Sequence, residues 1–488
     1  MKIILLFMKV HQFKSSIFLL GCFWLTACNI PKALDSKSKI ELPKQFPNAS
    51  SDTNQVALPN WKEVYFDSTL SQLIDQSIVS NFDLRFAMQR VEAYRSQVVL
   101  NKGIGLPDLS ADVGLGVRRY GDYTMDGVGN YDTRLSPNIN SKQKIPNPLP
   151  DYYVGLQSNW EIDLWGKLKN RKKAALSRFL GSQMGKNLML TSTIAEIAST
   201  YYHLLALDSE RKIYIENIAL QQKAFEVVQI QKQTGMANEL AVEILEAQLL
   251  GSKEKEVEVE QRIIEAENLL NFLLGRYPQT INRNEEVLNR SLPPFIKAGL
   301  PSDLLRNRPD IRQAELELEA SKADVHSARV AFYPSLNIGL GIGLQAFNAA
   351  LLLEAPASVA YTGLSGLTTP LLNRRILKSQ LLSAEVEKQQ AYIQYEKTVT
   401  RSFTEVYTAS TQVNNVERMI AIKKQEVDIL KKSIVTSGEL FRTGRASYLE
   451  IVNAQKNALQ SQLELVNLKK FQFQAAVELY RTLGGGWY

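Results

Sequence analysis

The apolar positions of this 488-residue chain follow two rhythms. Between Asp67 and Lys102, Leu70, Leu73, Ile74, Ile78, Leu84 and Met88 recur at helical spacing, which predicts one amphipathic helix. Gly103, Gly105 and Pro107 end it. From Leu109 to Tyr120 the period becomes two. Leu109, Ala111, Val113, Leu115 and Val117 alternate with Ser110, Asp112, Gly114, Gly116 and Arg118, the pattern of a strand with one apolar and one polar or small face. Residues 121–151 are rich in Gly, Asp, Asn, Ser and Pro and are expected to form a long exposed loop. Tyr152 to Ile162 is the expected returning strand, with Tyr152, Tyr153 and Trp160 toward its ends.

Two stretches of unusual length follow the same logic. Lys167 to Thr234 runs without Pro and is interrupted only by Gly181 and Gly185. Leu371 to Ser437 contains neither Gly nor Pro and is bounded by Pro370 and Gly438. A helix of that length spans roughly 100 Å. The first is expected to turn at Thr234-Gly235 and the second between Gly438 and Gly444. Each then returns as a helix, Leu240 to Leu274 and Arg445 to Leu483. Lys253, Glu254, Lys255, Glu256 and Glu258 read as a solvated helix face.

The plan occurs twice. Leu304 to Phe332 is a second predicted helix, and Leu336–Leu344 and Val359–Thr369 a second strand pair. A shift of 227 places Leu106-Pro107-Asp108-Leu109 on Tyr333-Pro334-Ser335-Leu336, Gly114 on Gly341 and Gly116 on Gly343. A shift of 209 places Thr234-Gly235 on Thr443-Gly444. The expected division is a leader over 1–27, a tether over 28–60, a first repeat over 61–275, a Pro-rich linker over 276–302 and a second repeat over 303–488.

The leader carries Lys9 and Lys14 before an apolar core from Ile17 to Trp24, the layout of an export signal, and translation would begin at Met1 or Met8. Leu25-Thr26-Ala27-Cys28 then resembles a bacterial lipobox. Cleavage before Cys28 would leave its thiol to carry diacylglycerol, and each buried CH₂ of the acyl chains contributes about 0.8 kcal/mol to anchoring. The tether that follows is polar and Pro-containing.

The formal charge is +7, and removal of Lys2, Lys9 and Lys14 with the leader leaves about +4. No basic block is interleaved with aromatics, which argues against nucleic acid as a partner. After the N-terminus no apolar run is long enough to span a bilayer as a helix, so no transmembrane helix is expected. His203 and His326 lie singly in helical stretches, and no Ser-His-Asp set, metal-ligand cluster or phosphate-cradling loop occurs, so no enzyme and no cofactor are expected.

Four strands of about ten residues are long enough to cross a bilayer. They are too few to close a barrel, and an open edge in lipid leaves its backbone unsatisfied. Two copies would supply eight strands and three would supply twelve.

Four segments carry a resemblance. Trp160-Glu161-Ile162-Asp163-Leu164-Trp165-Gly166-Lys167 resembles the strand-to-helix signature of the outer membrane factor family, the TolC-like efflux ducts. Leu304-Leu305-Arg306-Asn307-Arg308-Pro309-Asp310-Ile311, Phe332-Tyr333-Pro334-Ser335-Leu336 and Tyr480-Arg481-Thr482-Leu483-Gly484-Gly485-Gly486-Trp487 are similar to its other motifs. With Cys28 they point to the NodT-type lipoproteins of resistance-nodulation-division systems.

The resemblance implies a mainly α fold with a small membrane β contribution: a homotrimer with a twelve-stranded barrel in the outer membrane and a helical periplasmic extension. It implies an exit duct for small molecules such as drugs, toxic compounds or metal ions, fed by an inner-membrane pump. A periplasmic adaptor would dock on turns matching Gly235 and Gly444. An aperture gate would fall at Glu450 and Asn453, with Phe441 as an aromatic plug; Ala446 stands where some members carry an Arg latch. An exit duct for type I protein secretion is the second reading within this class. A periplasmic adaptor lipoprotein is a third, disfavoured because adaptors have one hairpin and this chain has two.

Overall fold

The computed structural model describes residues 58–65, 67–290, 307–370 and 374–487. The leader, Cys28, nearly all of the tether, residues 291–302 of the linker and Leu304-Leu305-Arg306 lie outside the described residues. The elements are α1 (Trp61–Val64), α2 (Ser68–Ser80), α3 (Phe82–Gly103), β1 (Ser110–Arg118), α4 (Met125–Leu135), β2 (Leu149–Ile162), α5 (Lys167–Gln233) and α6 (Glu239–Leu273). After the linker come α7 (Pro309–Val330), β3 (Ser335–Ala346), β4 (Val359–Thr368), α8 (Arg374–Arg442) and α9 (Tyr448–Thr482).

The two predicted long helices form as α5 and α8, of 67 and 69 residues. Gly181 and Gly185 do not interrupt α5. A Cβ at Gly181 would meet Leu316 at 3.7 Å, and one at Gly185 would meet the Gln313 side chain at 3.3 Å, so both glycines accommodate a close neighbour.

Three expectations are corrected. The helix over 67–102 is two, because Asn81 adopts an extended backbone (φ −57, ψ 131). Its N–H caps α2 on Ser77, and its side-chain oxygen accepts from the Leu84 N–H at 3.0 Å. Gly438 does not end α8, which continues to Arg442. An interior glycine costs about 1 kcal/mol against Ala without breaking a helix, and the turn waits for Gly444, at φ +71. Finally, the stretch 121–151 is not all loop. Thr124 caps α4, accepting from the Gly127 N–H at 3.1 Å, and β2 begins at Leu149.

The duplication holds element by element. α3 and α7 are both 22 residues long and lie 227 apart; α6 and α9 are both 35 residues long and lie 209 apart. The shift falls between them because the connection from β1 to β2 is longer than the one from β3 to β4.

The chain forms two compact units, each drawing segments from both repeats. The unit built from Tyr94–Phe179 and Glu317–Ala391 contains one antiparallel sheet in the order β1-β2-β3-β4. Its helical segments meet through small residues, Ala174 with Ala320 and Ala323. Arg178 joins them, paired with Glu317 at 3.1 Å and Asp324 at 2.7 Å.

The other unit holds Leu180–Leu316, the chain from Tyr392 onward and the stretch ending at Ala93. Its core gathers Leu70 and Ile74 of α2, Tyr201, Leu204 and Leu205 of α5, Leu270 of α6 and Phe473 of α9, all essentially fully buried. Each such side chain contributes about 1.5–3 kcal/mol by leaving water. Tyr201 keeps its hydroxyl partnered, donating to Asp67 at 2.6 Å, while Asp67 also caps α2.

Candidate functional site

The register of the sheet assigns its faces, because paired residues in an antiparallel ladder point the same way. Val113 pairs with Val154, Leu115 with Tyr152, and Leu156 with both Ala111 and Ile342. Ile342 pairs in turn with Tyr361, and Leu336 with Leu367. One face is therefore apolar across all four strands, and it is exposed, Val113 at 82% and Tyr361 at 83%. Tyr152 and Tyr361 stand toward its loop end, and Trp160 toward its helix end.

The other face carries Ser110, Asp112, Asp151, Gln157, Asn159, Glu161, Asn337, Gln345 and Thr362, interspersed with glycines. Here Gln345 donates to Asp151 at 2.9 Å. Gly155 and Gly343 are direct partners, and the Tyr153 ring covers both: a Cβ at Gly155 would stand 2.3 Å from the Tyr153 hydroxyl. A sheet apolar outside and polar inside suits a barrel wall between lipid and water. Among the described residues no helix is long and apolar enough to cross a membrane.

In the other unit the two expected turns share one geometry. Gly235 (φ +77) donates to the carbonyl of Lys232, and Met236 to that of Gln231. Gly444 donates to the carbonyl of Phe441, and Arg445 to that of Leu440. This pairing is the Schellman end of a helix, which needs a left-handed residue and so favours glycine. The next helices are capped by Asn238, accepting from Ala241 at 3.0 Å, and by Ser447, accepting from Leu449 at 3.3 Å. Lys232 and Glu239 form an ion pair across the first turn.

The ends of α5, α6, α8 and α9 meet. Val228, Ala241, Val242 and Leu245 form a buried cluster against which Phe441, Tyr448 and Val452 pack. Phe441 is thus half-buried among the helices rather than projecting freely. Glu450 and Asn453 are exposed. The Glu450 carboxylate accepts from the Ser447 hydroxyl, and this bond holds its carboxyl below the usual range. Ser447 therefore caps α9 on the Leu449 N–H while its hydroxyl is held in turn by the Glu450 carboxylate, three residues on. The signal Ser447-Tyr448-Leu449-Glu450 was readable in the sequence.

The family-like motifs meet in pairs. Trp165 donates its indole N–H to the Pro334 carbonyl at 2.8 Å and packs on Tyr333 at 5.3 Å. Arg308 is buried; it binds Asp310 at 2.6 Å and Glu405 at 2.9 Å and donates to the Thr482 carbonyl at 2.9 Å. Trp487 donates to the Asn307 carbonyl at 3.0 Å. These segments are joints of the scaffold.

Long helical hairpins and a sheet with lipid-facing and water-facing sides define a membrane duct. The chain belongs to the outer membrane efflux protein family, whose pattern matches residues 73–276 and 300–485. It is an outer-membrane channel, the exit duct of a tripartite efflux system, and not an enzyme. The cation efflux system protein CusC of Escherichia coli (strain K12) is 25% identical over 471 residues, 95% of this chain and 97% of that one. The solvent efflux pump outer membrane protein SrpC of Pseudomonas putida is 28% identical over 439 residues, 88% of each chain. Among solved structures, the outer-membrane channel OprN superposes with a TM-score of 0.81 at 22% identity, covering 93% of this chain and 99% of that one. The open-state MtrE channel of Neisseria gonorrhoeae superposes with a TM-score of 0.76 at 22% identity, covering 94% and 98%.

Proposed function

We propose that three copies of the chain close a twelve-stranded barrel and carry small molecules outward through it. The observation that carries this reading is the sheet itself, which has an apolar and a polar face but two open edges, β1 and β4. Edges in lipid must be paired, and further copies supply the pairing. The related proteins are named for cations, solvent, toluene and antibiotics. That range fits a duct that passes what its pump selects, whether drugs, toxic compounds or metal ions.

In this reading the division into leader, tether, two repeats and linker holds, and lipid on Cys28 adds an anchor. The adaptor of an inner-membrane pump docks on the turns at Gly235 and Gly444, whose matched geometry offers it two similar knobs per copy. Glu450 and Asn453 line the closed aperture, and Phe441, steadied by the cluster around Val242, is its aromatic plug. A ring of carboxylates disfavours anions and attracts cations.

Single-channel conductance in planar bilayers tests the reading. Small cation-selective steps that enlarge or lose selectivity in Glu450→Ala support a trimeric duct gated there. A protein that stays monomeric and does not insert overturns the barrel.

A further inference from the structure

The connection between β1 and β2 is longer than the one between β3 and β4, and α4 lies within it. On α4, Met125, Val128, Tyr131 and Leu135 follow at steps of three, three and four, so they form one stripe. All four are exposed, Met125 at 90%, and Tyr123 just before the helix is fully exposed. The half-covered residues of α4 are Gly127, Asn130 and Thr133, on the opposite side. Gly127 fixes this rotation, since a Cβ there would stand 2.1 Å from the Gly121 carbonyl oxygen. The helix is therefore turned inside out relative to an ordinary surface helix, with Gly127, Asn130 and Thr133 half-covered and the apolar stripe, which Asp132 shares, free.

We propose that α4 lies in the interfacial layer of the outer leaflet, with its stripe against lipid. Continuity with the apolar face of the sheet chooses lipid as the occupant. The apolar face of the sheet ends at the same connections in Tyr152 and Tyr361, and β1 leads through a short connection to Tyr123 and α4, so that Tyr123 and Tyr131 would continue an aromatic belt of the kind tyrosine rings form at the interface. Arg119 and Lys144 flank α4 in sequence, and Arg134 lies on its half-covered side, so cations for lipid phosphates stand beside the acids Asp122, Asp126 and Asp132. Such a helix fixes the height and rotation of the barrel mouth in the membrane. The proposal rests on the outer-membrane placement of the sheet and adds a second, peripheral lipid contact.

The full-length protein is reconstituted in phosphatidylethanolamine–phosphatidylglycerol vesicles containing lipid spin-labelled near the headgroup. Environment-sensitive fluorophores are attached at Val128→Cys, Tyr131→Cys, Asp126→Cys and Val113→Cys, with the parent chain labelled in parallel to subtract its own cysteines. Labels at 128 and 131 are expected to emit blue-shifted light and to be quenched at least twofold by spin-labelled lipid. The label at 126 is expected to respond to aqueous iodide instead. Iodide quenching at 128 and 131 equal to that at 126 overturns the proposal. A blue shift there without lipid quenching also overturns it, since the stripe then meets protein, such as a second copy. The label at Val113 separates the two readings: unquenched by lipid, it removes the membrane sheet itself. Val128→Cys stands alone if Tyr131→Cys does not fold.

Discussion

The Arg308 guanidinium donates to the main-chain carbonyl of Thr482 at 2.9 Å. One repeat earlier, Asn81 donates to the carbonyl of Leu273 at 2.7 Å. Asn81 and Arg308 lie 227 apart, Leu273 and Thr482 lie 209 apart, and in both repeats a side chain entering one helix caps the end of another. The glycines that follow obey the same symmetry. A Cβ on Gly275 would stand 2.3 Å from the Ser80 carbonyl oxygen, and one on Gly484 would stand 2.5 Å from that of Asn307. The duplication thus preserves a backbone joint while the side chain that caps it changes from amide to guanidinium.

That joint separates two kinds of glycine. Gly484 combines φ +89 with the Asn307 contact, whereas Gly444 has φ +71 and open space around it. Ala at Gly444 is expected to cost about 1 kcal/mol from the left-handed backbone alone. Ala at Gly484 adds a collision with backbone and is expected to cost about 3 kcal/mol or more. Thermal unfolding midpoints of the two variants check the order; equal losses would falsify the close-packed joint.

The same joint sets an acid limit. Burial pushes the Glu405 carboxyl up, but hydrogen bonds from Arg308 and Arg401 and the Arg481 charge outweigh it, leaving it below the usual range. A carboxyl depressed on folding contributes stability that is complete above its unfolded pKa, near the ordinary value of 4.5, and is lost as pH falls through the folded value. Glu405→Gln is therefore expected to unfold at lower temperature than the parent at pH 7, with the gap narrowing below about pH 4. A gap that stays constant from pH 7 to pH 3 would show that the pair contributes shape and not charge.

Much of this architecture was legible in the chain. Alternation from Leu109 to Val117 marked the lipid-facing register, because a two-residue period leaves only one set of side chains on a face. Thr234-Gly235 and Thr443-Gly444 marked both turns, because a Schellman end demands a left-handed residue. What stayed hidden depended on tertiary contacts. Gly438 carries no signal separating a helix interior from a stop. The glycines and asparagine of α4 lower its helix propensity, so composition argued for a loop, and only the Thr124 cap and the Gly121 contact reveal the helix. Glu450 was singled out for an aperture, while its bond to Ser447 sat in the same four-residue signature.

The two sheet faces predict opposite responses to charge. Val113 lies on the apolar face and Asp112 beside it on the polar one. Val113→Arg is expected to destabilise the membrane-inserted protein by about 2–4 kcal/mol near the bilayer midplane. Asp112→Arg is expected to insert normally and to shift ion selectivity toward anions. Heat-dependent migration of membrane extracts reads insertion, and reversal potentials in bilayers read selectivity. Normal insertion of Val113→Arg together with failure of Asp112→Arg would invert the faces.

Glu450 poses the sharpest choice, because capping and gating invoke the same carboxylate. Holding the Ser447 hydroxyl needs only an acceptor at the third helical position, and the Gln side-chain oxygen accepts there as the Glu carboxylate does. A charged ring needs the negative charge itself. Glu450→Gln is accordingly expected to keep the stability of α9 while losing cation selectivity. Ser447→Ala is expected to lose about 1 kcal/mol through the missing cap while leaving selectivity largely in place. Thermal unfolding and reversal potentials measured on both variants separate the roles. If Glu450→Gln conducts as the parent does and Ser447→Ala alone disturbs the channel, the carboxylate holds the helix end and the aperture belongs to other residues.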